Sequence, residues 1–131
     1  MKILLTGAAG FIGFHLSKSL LEDGIEVLGI DNINDYYDIN LKKDRLKKIN
    51  LYKNFTFKKL DISNRKSLDS EFARFKPNIV VNLAAQAGVS YSLKNPYAYL
   101  DSNLTGFLNI IECSRKFKVK GLIYASSSSV Y

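Results

Sequence analysis

Apolar residues arrive along this chain in two alternating rhythms. Short, nearly unbroken runs such as Ile3-Leu4-Leu5 and Ile79-Val80-Val81 predict strands buried on both faces. On this pattern strands are expected over residues 2–6, 25–30, 55–60, 78–83 and 121–125. Between them the apolar positions spread out to helical spacing. A helix is expected over 11–23, with Ile12, Leu16 and Leu20 four apart and Gly24 as its stop. A basic helix should begin near Leu41, after the polar and aromatic stretch 31–40. Another is expected around 65–75, with Leu68, Phe72 and Phe75 on one side and Pro77 as punctuation. The longest, 98–116, carries Leu100, Leu104, Phe107, Leu108 and Ile111 as a continuous stripe.

Strands alternating with helices imply a parallel sheet covered on both faces. The first strand runs into Gly7, Gly10 and Gly13, the spacing that turns a chain tightly under a pyrophosphate and into a helix. Unpaired N–H groups at that helix start, with the positive end of its dipole, suit an anion. The expected fold is therefore α/β, a Rossmann-like doubly wound parallel sheet of strand order 3-2-1-4-5. Its ligands should lie beyond the carboxyl ends of the strands, where the order reverses. The segments after Thr6, Ile30, Leu60, Leu83 and Ala125 converge there.

Several candidate residues sit at those ends. Asp31 follows the second strand, where a carboxylate accepts hydrogen bonds from an adenosine ribose and repels a 2′-phosphate, which favours NAD over NADP. Asp31-Asn32 is also good turn chemistry. Asp61, with Ile62 beside it, could flank an adenine or could cap the next helix, as could Ser63 and Asn64. Leu83-Ala84-Ala85 offers small side chains where the middle of a cofactor should pass, or where a helix packs closely. The hydroxyl run Ser126 to Ser129 could hold a sugar hydroxyl or carboxylate, or form an exit loop. His15 falls one residue outside its helix stripe and reads as packed or half-exposed. Cys113 reads as a small buried residue.

Composition narrows the function classes. A chain of 131 residues is one domain by length and can bury a real core. One cysteine and one histidine exclude an internal disulfide framework and leave no metal-ligand cluster. The opening apolar run breaks at Thr6-Gly7, too short for a signal peptide, and no stretch has the unbroken apolar length of a membrane span. A soluble, cytoplasmic protein is expected. The net charge of +7 is concentrated between Lys42 and Lys59, where Asp44 is the single acid. That segment reads as a solvated helix face with adjoining loop. A nucleic-acid surface is disfavoured; long-range attraction of an anionic substrate is the other alternative.

Thr6, Gly7, Gly10 and Gly13 match a Thr-Gly-x-x-Gly-x-x-Gly pattern, and the chain resembles the extended short-chain dehydrogenase/reductase family of nucleotide-sugar epimerases and dehydratases. Within it, 29–38 (Gly-Ile-Asp-Asn-Ile-Asn-Asp-Tyr-Tyr-Asp), 84–89 (Ala-Ala-Gln-Ala-Gly-Val) and 125–131 (Ala-Ser-Ser-Ser-Ser-Val-Tyr) look most like the UDP-glucuronate 4-epimerases. The nucleotide-sugar 4,6-dehydratases typically carry an acidic pair where Ser128-Ser129 stands. A non-catalytic dinucleotide-binding module is the third possibility.

The resemblance implies NAD as cofactor and a UDP-sugar as substrate, with homodimers common among relatives. It implies that Gly7, Gly10 and Gly13 hold the pyrophosphate, with helix-start N–H groups from Phe11 and Ile12. Asp31 and Asn32 would hold the ribose, and Asp61 and Ile62 would flank adenine. Leu83, Ala84, Ala85 and Gln86 would line the path toward nicotinamide. Asn103 matches a family asparagine near the cofactor and could equally tie a loop. Ser127 matches the catalytic serine or threonine, and Ser128 and Ser129 match positions facing a uronate carboxylate. The implied chemistry is transient oxidation at sugar C4, return of hydride to the opposite face, and proton transfer by a tyrosine with a lysine four residues on.

The sequence departs from the family in two places. No tyrosine here has a lysine four residues later; Tyr131 matches a family tyrosine without the acid–base role. The chain is accordingly expected to be the amino-terminal, NAD-binding part (1–131) of a longer enzyme, truncated after the fifth strand and inactive alone. Second, Ser90 stands where relatives commonly carry an arginine, within Gly-Val-Arg-Tyr-Ser.

Overall fold

A computed structural model describes residues 1–127. Five parallel strands form one sheet in the order β3-β2-β1-β4-β5, as the alternation of elements predicts. They are β1 (Lys2–Thr6), β2 (Glu26–Asp31), β3 (Phe55–Lys59), β4 (Ile79–Asn82) and β5 (Gly121–Tyr124). The flanking helices are α1 (Phe11–Glu22), α2 (Ile39–Ile49) and α3 (Arg65–Phe75). A 3-10 turn, Val89–Leu93, follows β4, and the long helix is composite. It starts as α4 (Pro96–Tyr99), widens through a π-helical stretch Leu100–Gly106, and continues as α5 (Phe107–Lys116). It begins two residues before the expected 98, with Pro96 in its first turn and the Asn95 side chain accepting the Ala98 N–H.

β1 lies at the centre, with Leu4 beside Leu28 on one side and Val80 on the other. Side chains alternate across it. Ile3 and Leu5 pack with Phe14, Leu21, Leu46, Ile49 and Phe55 under α1 and α2. Leu4 packs with Leu28, Ile30, Leu68, Phe72, Val80 and Ile110 under α3 and α5. Each fully buried Leu contributes on the order of 2 kcal/mol relative to exposure. Two cores back to back fix the register of the central strands, because a one-residue slip would exchange the faces.

Two helix stripes face differently from the sequence expectation. α1 turns Gly13, Phe14, Ser17 and Leu21 to the sheet, leaving Ile12 65% exposed and Leu16 and Leu20 half-buried at the rim. On the long helix the buried side is Gly106, Asn109, Ile110, Cys113 and Ser114. Leu100, Leu104, Leu108 and Ile111 of the apolar stripe are exposed, and Phe107 is half-buried against the Tyr124 ring. Small residues let both helices lie close to the sheet, so the bulkier stripe is not the packing face.

Candidate functional site

The carboxyl ends of β1, β2, β3 and β4 open onto one cleft. β1 leaves through Gly7 at φ +72°, where a side chain would stand 3.0 Å from the Leu83–Ala84 backbone. The Gly10 N–H closes the turn on the Gly7 carbonyl at 3.0 Å. The first bond of α1 runs from the Phe14 N–H to the Gly10 carbonyl, so the N–H groups of Phe11, Ile12 and Gly13 precede the helical ladder. Gly13 lies against the turn itself: a methyl there would sit 2.0 Å from the Gly7 oxygen. This compact, N–H-rich turn is the cradle expected for a pyrophosphate.

Asp31 ends β2 and is buried beside that turn. Its Oδ2 accepts the Ala9 N–H at 3.1 Å and its Oδ1 accepts the Ile33 N–H at 2.8 Å. The turn and the end of β2 are therefore one unit. The Ala9 carbonyl is held as well, by Arg45 Nη1 at 3.1 Å, and the same nitrogen reaches the Tyr37 hydroxyl at 3.1 Å. Lys42 of α2 completes this corner at only 5% exposure. Its Nζ donates to the Asn34 carbonyl (3.1 Å) and Oδ1 (2.8 Å), stands 3.8 Å from Asp31 Oδ1, and lies over the Tyr37 ring. Burial pushes its pKa down, Asp31 pulls it up, and the neighbouring Arg45 adds to the lowering, which prevails.

Across the cleft, Asn32 Nδ2 donates to Asp61 Oδ2 at 3.0 Å, while Asp61 Oδ1 accepts the Ser63 N–H and hydroxyl. Partial burial pushes the Asp61 carboxyl up, but the hydrogen bonds from Asn32 and Ser63 outweigh it and hold the group below its ordinary value. Asp61 does not cap the next helix; Asn64 does, accepting the Ser67 N–H. Ile62 is buried beneath Gly106 and also lines the cleft.

The cleft floor is Leu83, Ala84, Ala85 and Gln86. Fully buried Thr6 positions it: its hydroxyl donates to Asn82 Oδ1 at 2.6 Å and accepts the Leu83 and Ala84 N–H groups at 3.2 and 3.1 Å. Asn103, on the π-helical stretch, accepts the Gln86 N–H and donates to the Gln86 carbonyl. Of the two roles left open for it, the loop tie is the one its contacts make. Tyr99 donates to the Ala87 and Gly88 carbonyls, and the Tyr36 and Tyr91 rings meet at 4.9 Å across the mouth. Ser127 is exposed and lines an adjoining hollow with Asn82, Asn103, Phe107 and Tyr124, which shares the Leu83–Gln86 floor with the cleft. Ser128, Ser129 and Tyr131 lie outside the described residues.

The sequence reading missed the positioning role of Thr6 and the roles of Lys42 and Arg45 altogether. Lys42 stands four and seven residues before Leu46 and Ile49, on the same buried face, and that spacing was the available signal. The remaining basic residues of α2, Lys43, Lys47 and Lys48, are exposed as expected of a solvated face.

A family model described as the NAD-dependent epimerase/dehydratase family matches residues 3–131. The chain belongs to that family. Among family members, it is 59% identical over its whole length to "Protein CapI" of Staphylococcus aureus, covering 39% of that protein. It is 48% identical to a UDP-glucuronate 4-epimerase of Thermodesulfobacterium geofontis, with 98% of this chain and 40% of that one aligned. The crystal structure of a UDP-glucuronic acid 4-epimerase from Bacillus cereus, in complex with UDP-glucuronic acid and NAD, superposes with TM-score 0.89 at 34% identity. All of this chain and 41% of that one are covered. The chain thus spans about two-fifths of the length of these relatives. Among the described residues no helix is long and apolar enough to cross a membrane.

Proposed function

We propose that residues 1–131 form the NAD-binding domain of a UDP-sugar 4-epimerase, with UDP-glucuronate as its substrate. The observation that carries this reading is the bond between Asp31 and the Ala9 N–H, which fixes a ribose-binding carboxylate against a phosphate-binding turn. A dinucleotide needs both at once, and a mononucleotide phosphate site would not. The residues fit the cofactor: Gly7, Gly10 and the N–H groups of Phe11, Ile12 and Gly13 hold the pyrophosphate. Asp31 and Asn32 bind the ribose, Asp61 and Ile62 flank adenine, and Leu83 to Gln86 line the way to nicotinamide. NAD supplies reversible hydride acceptance from sugar C4, giving a 4-keto sugar that can be reduced on either face. Thr6 and Asn103 orient the floor of that path. Ser127 hydrogen-bonds the sugar hydroxyl, and Ser128 and Ser129 meet the uronate carboxylate.

The choice of UDP-glucuronate rests on relatives of that name at 41–48% identity. The activity is proposed for the whole protein, and the 131-residue chain by itself is expected to bind NAD without turnover. A second copy is proposed to cover the exposed face of Leu100, Leu104, Leu108 and Ile111, giving a homodimer. Incubating the full-length enzyme with UDP-glucuronate and following UDP-galacturonate by NMR tests the reaction. Conversion that falls by at least about 100-fold in Ser127→Ala supports the assignment. Release of water from the sugar would replace it with a dehydratase, and NAD binding without any sugar chemistry would leave a binding module.

A further inference from the structure

The sequence assigns discrimination against NADP to Asp31 alone, as a carboxylate that repels a 2′-phosphate. The structure adds a buried counter-charge. Lys42 is as buried as Asp31, with side-chain exposures of 6% and 7%, and its Nζ is 3.8 Å from Oδ1. Both line the cleft, as does Asn34, which accepts two of the three ammonium hydrogens. Arg45 is anchored in the same corner through Ala9 and Tyr37, and Asp35 is the other acid whose charge reaches Lys42. Two carboxylates against two cations make this corner close to neutral, where Asp31 alone would make it negative. Asp31 also already accepts two backbone N–H groups, which disperses its charge.

We propose that Lys42 is a specificity-determining residue for the dinucleotide: its ammonium offsets Asp31 at the ribose, so the cleft accepts a 2′-phosphate and prefers NAD by a narrower margin than the carboxylate would set. A ribose diol gains both an acceptor, Asp31, and a donor, the remaining ammonium hydrogen. A 2′-phosphate loses the acceptor and keeps the cation. This inference rests on the reading of the cleft as a dinucleotide site. The ammonium is placed by Asn34 and the Tyr37 face independently of any ligand, so its charge stands ready in the free protein.

Isothermal titration of the full-length protein with NAD and with NADP tests it, using Lys42→Met and Lys42→Gln, each checked for folding by thermal melting. For the unaltered protein both dinucleotides should bind, NAD the tighter. Loss of the ammonium should weaken NADP about tenfold more than NAD, the scale of one hydrogen bond to a charged group. Asp31→Asn should shift the ratio the opposite way, toward NADP. A purely structural lysine would weaken both ligands by the same factor, and equal weakening or an unchanged ratio in Lys42→Gln overturns the proposal. Failure of NADP alone to bind the unaltered protein overturns the proposal and leaves the reading of the cleft standing, whereas failure of both dinucleotides overturns that reading, and this inference with it.

Discussion

The two ends of the cleft are built in different ways. At the end beside β2 the charged side chains are tied by neighbours of the same chain: Asp31 to two N–H groups, Lys42 to Asn34, Arg45 to Ala9. At the far end, β5 turns Ile123 and Tyr124 outward at 59% and 53% exposure, and Ser126 and Ser127 are exposed. The first end is pre-organised by residues of one compact sequence neighbourhood. The second is left open to solvent. The two ends thus differ in how far these residues alone fix them.

Substitutions at the pre-organised end should accordingly have the largest effects. Gly13→Val would drive side-chain carbon into the Gly7 carbonyl, where backbone must move. A stability loss of about 3 kcal/mol in urea unfolding, with NAD binding abolished, is expected. Retention of NAD affinity would separate the turn from the cofactor. Thr6→Val leaves Asn82 and the Ala84 N–H short of a partner, while the Leu83 N–H keeps the Thr6 carbonyl. It should cost about 2 kcal/mol and weaken NAD in the same titration. If it lowers stability alone, the floor of the cleft is scaffold and not site.

Acid titration sharpens the comparison further. The folded pKa of Asp61 lies below its unfolded one, so its contribution is present above the ordinary carboxylate range and is lost as pH falls through the lowered value. Asp61→Asn should lower stability in the neutral region and flatten the acid limb, so that the two curves converge below about pH 4. The smallest effect is expected opposite the cleft, at the C-cap of α3, where Lys76 adopts φ +54°. Lys76→Gly should raise stability by about 0.5 kcal/mol, since glycine takes that conformation without the usual penalty. NAD affinity should not move; if it does, the two ends of the sheet communicate.

Much of this was legible in the sequence because the signals are local. Runs of Ile, Leu and Val located the strands, and three glycines with Asp31 marked the turn and its partner. What was missed depends on direction and company. The stripe on the long helix identifies its bulky apolar side, but Gly106, Cys113 and Ser114 are what the close-lying sheet admits. Lys42 reads as one cation in a basic run, and only the fold sets it against Asp31 and Tyr37. The π-helical stretch that presents Asn103 leaves no pattern in side-chain chemistry, since it is a change in backbone hydrogen bonding.

The central place of β1 also sets an order of events when the chain is made. Lys2–Thr6 is made before both strands it pairs with, and its β2 edge can be satisfied once residue 31 has followed. Its other edge waits for Ile79. Throughout that interval the nascent chain carries its central strand with one side open, so the cell must protect a half-built sheet for as long as synthesis of the intervening residues takes.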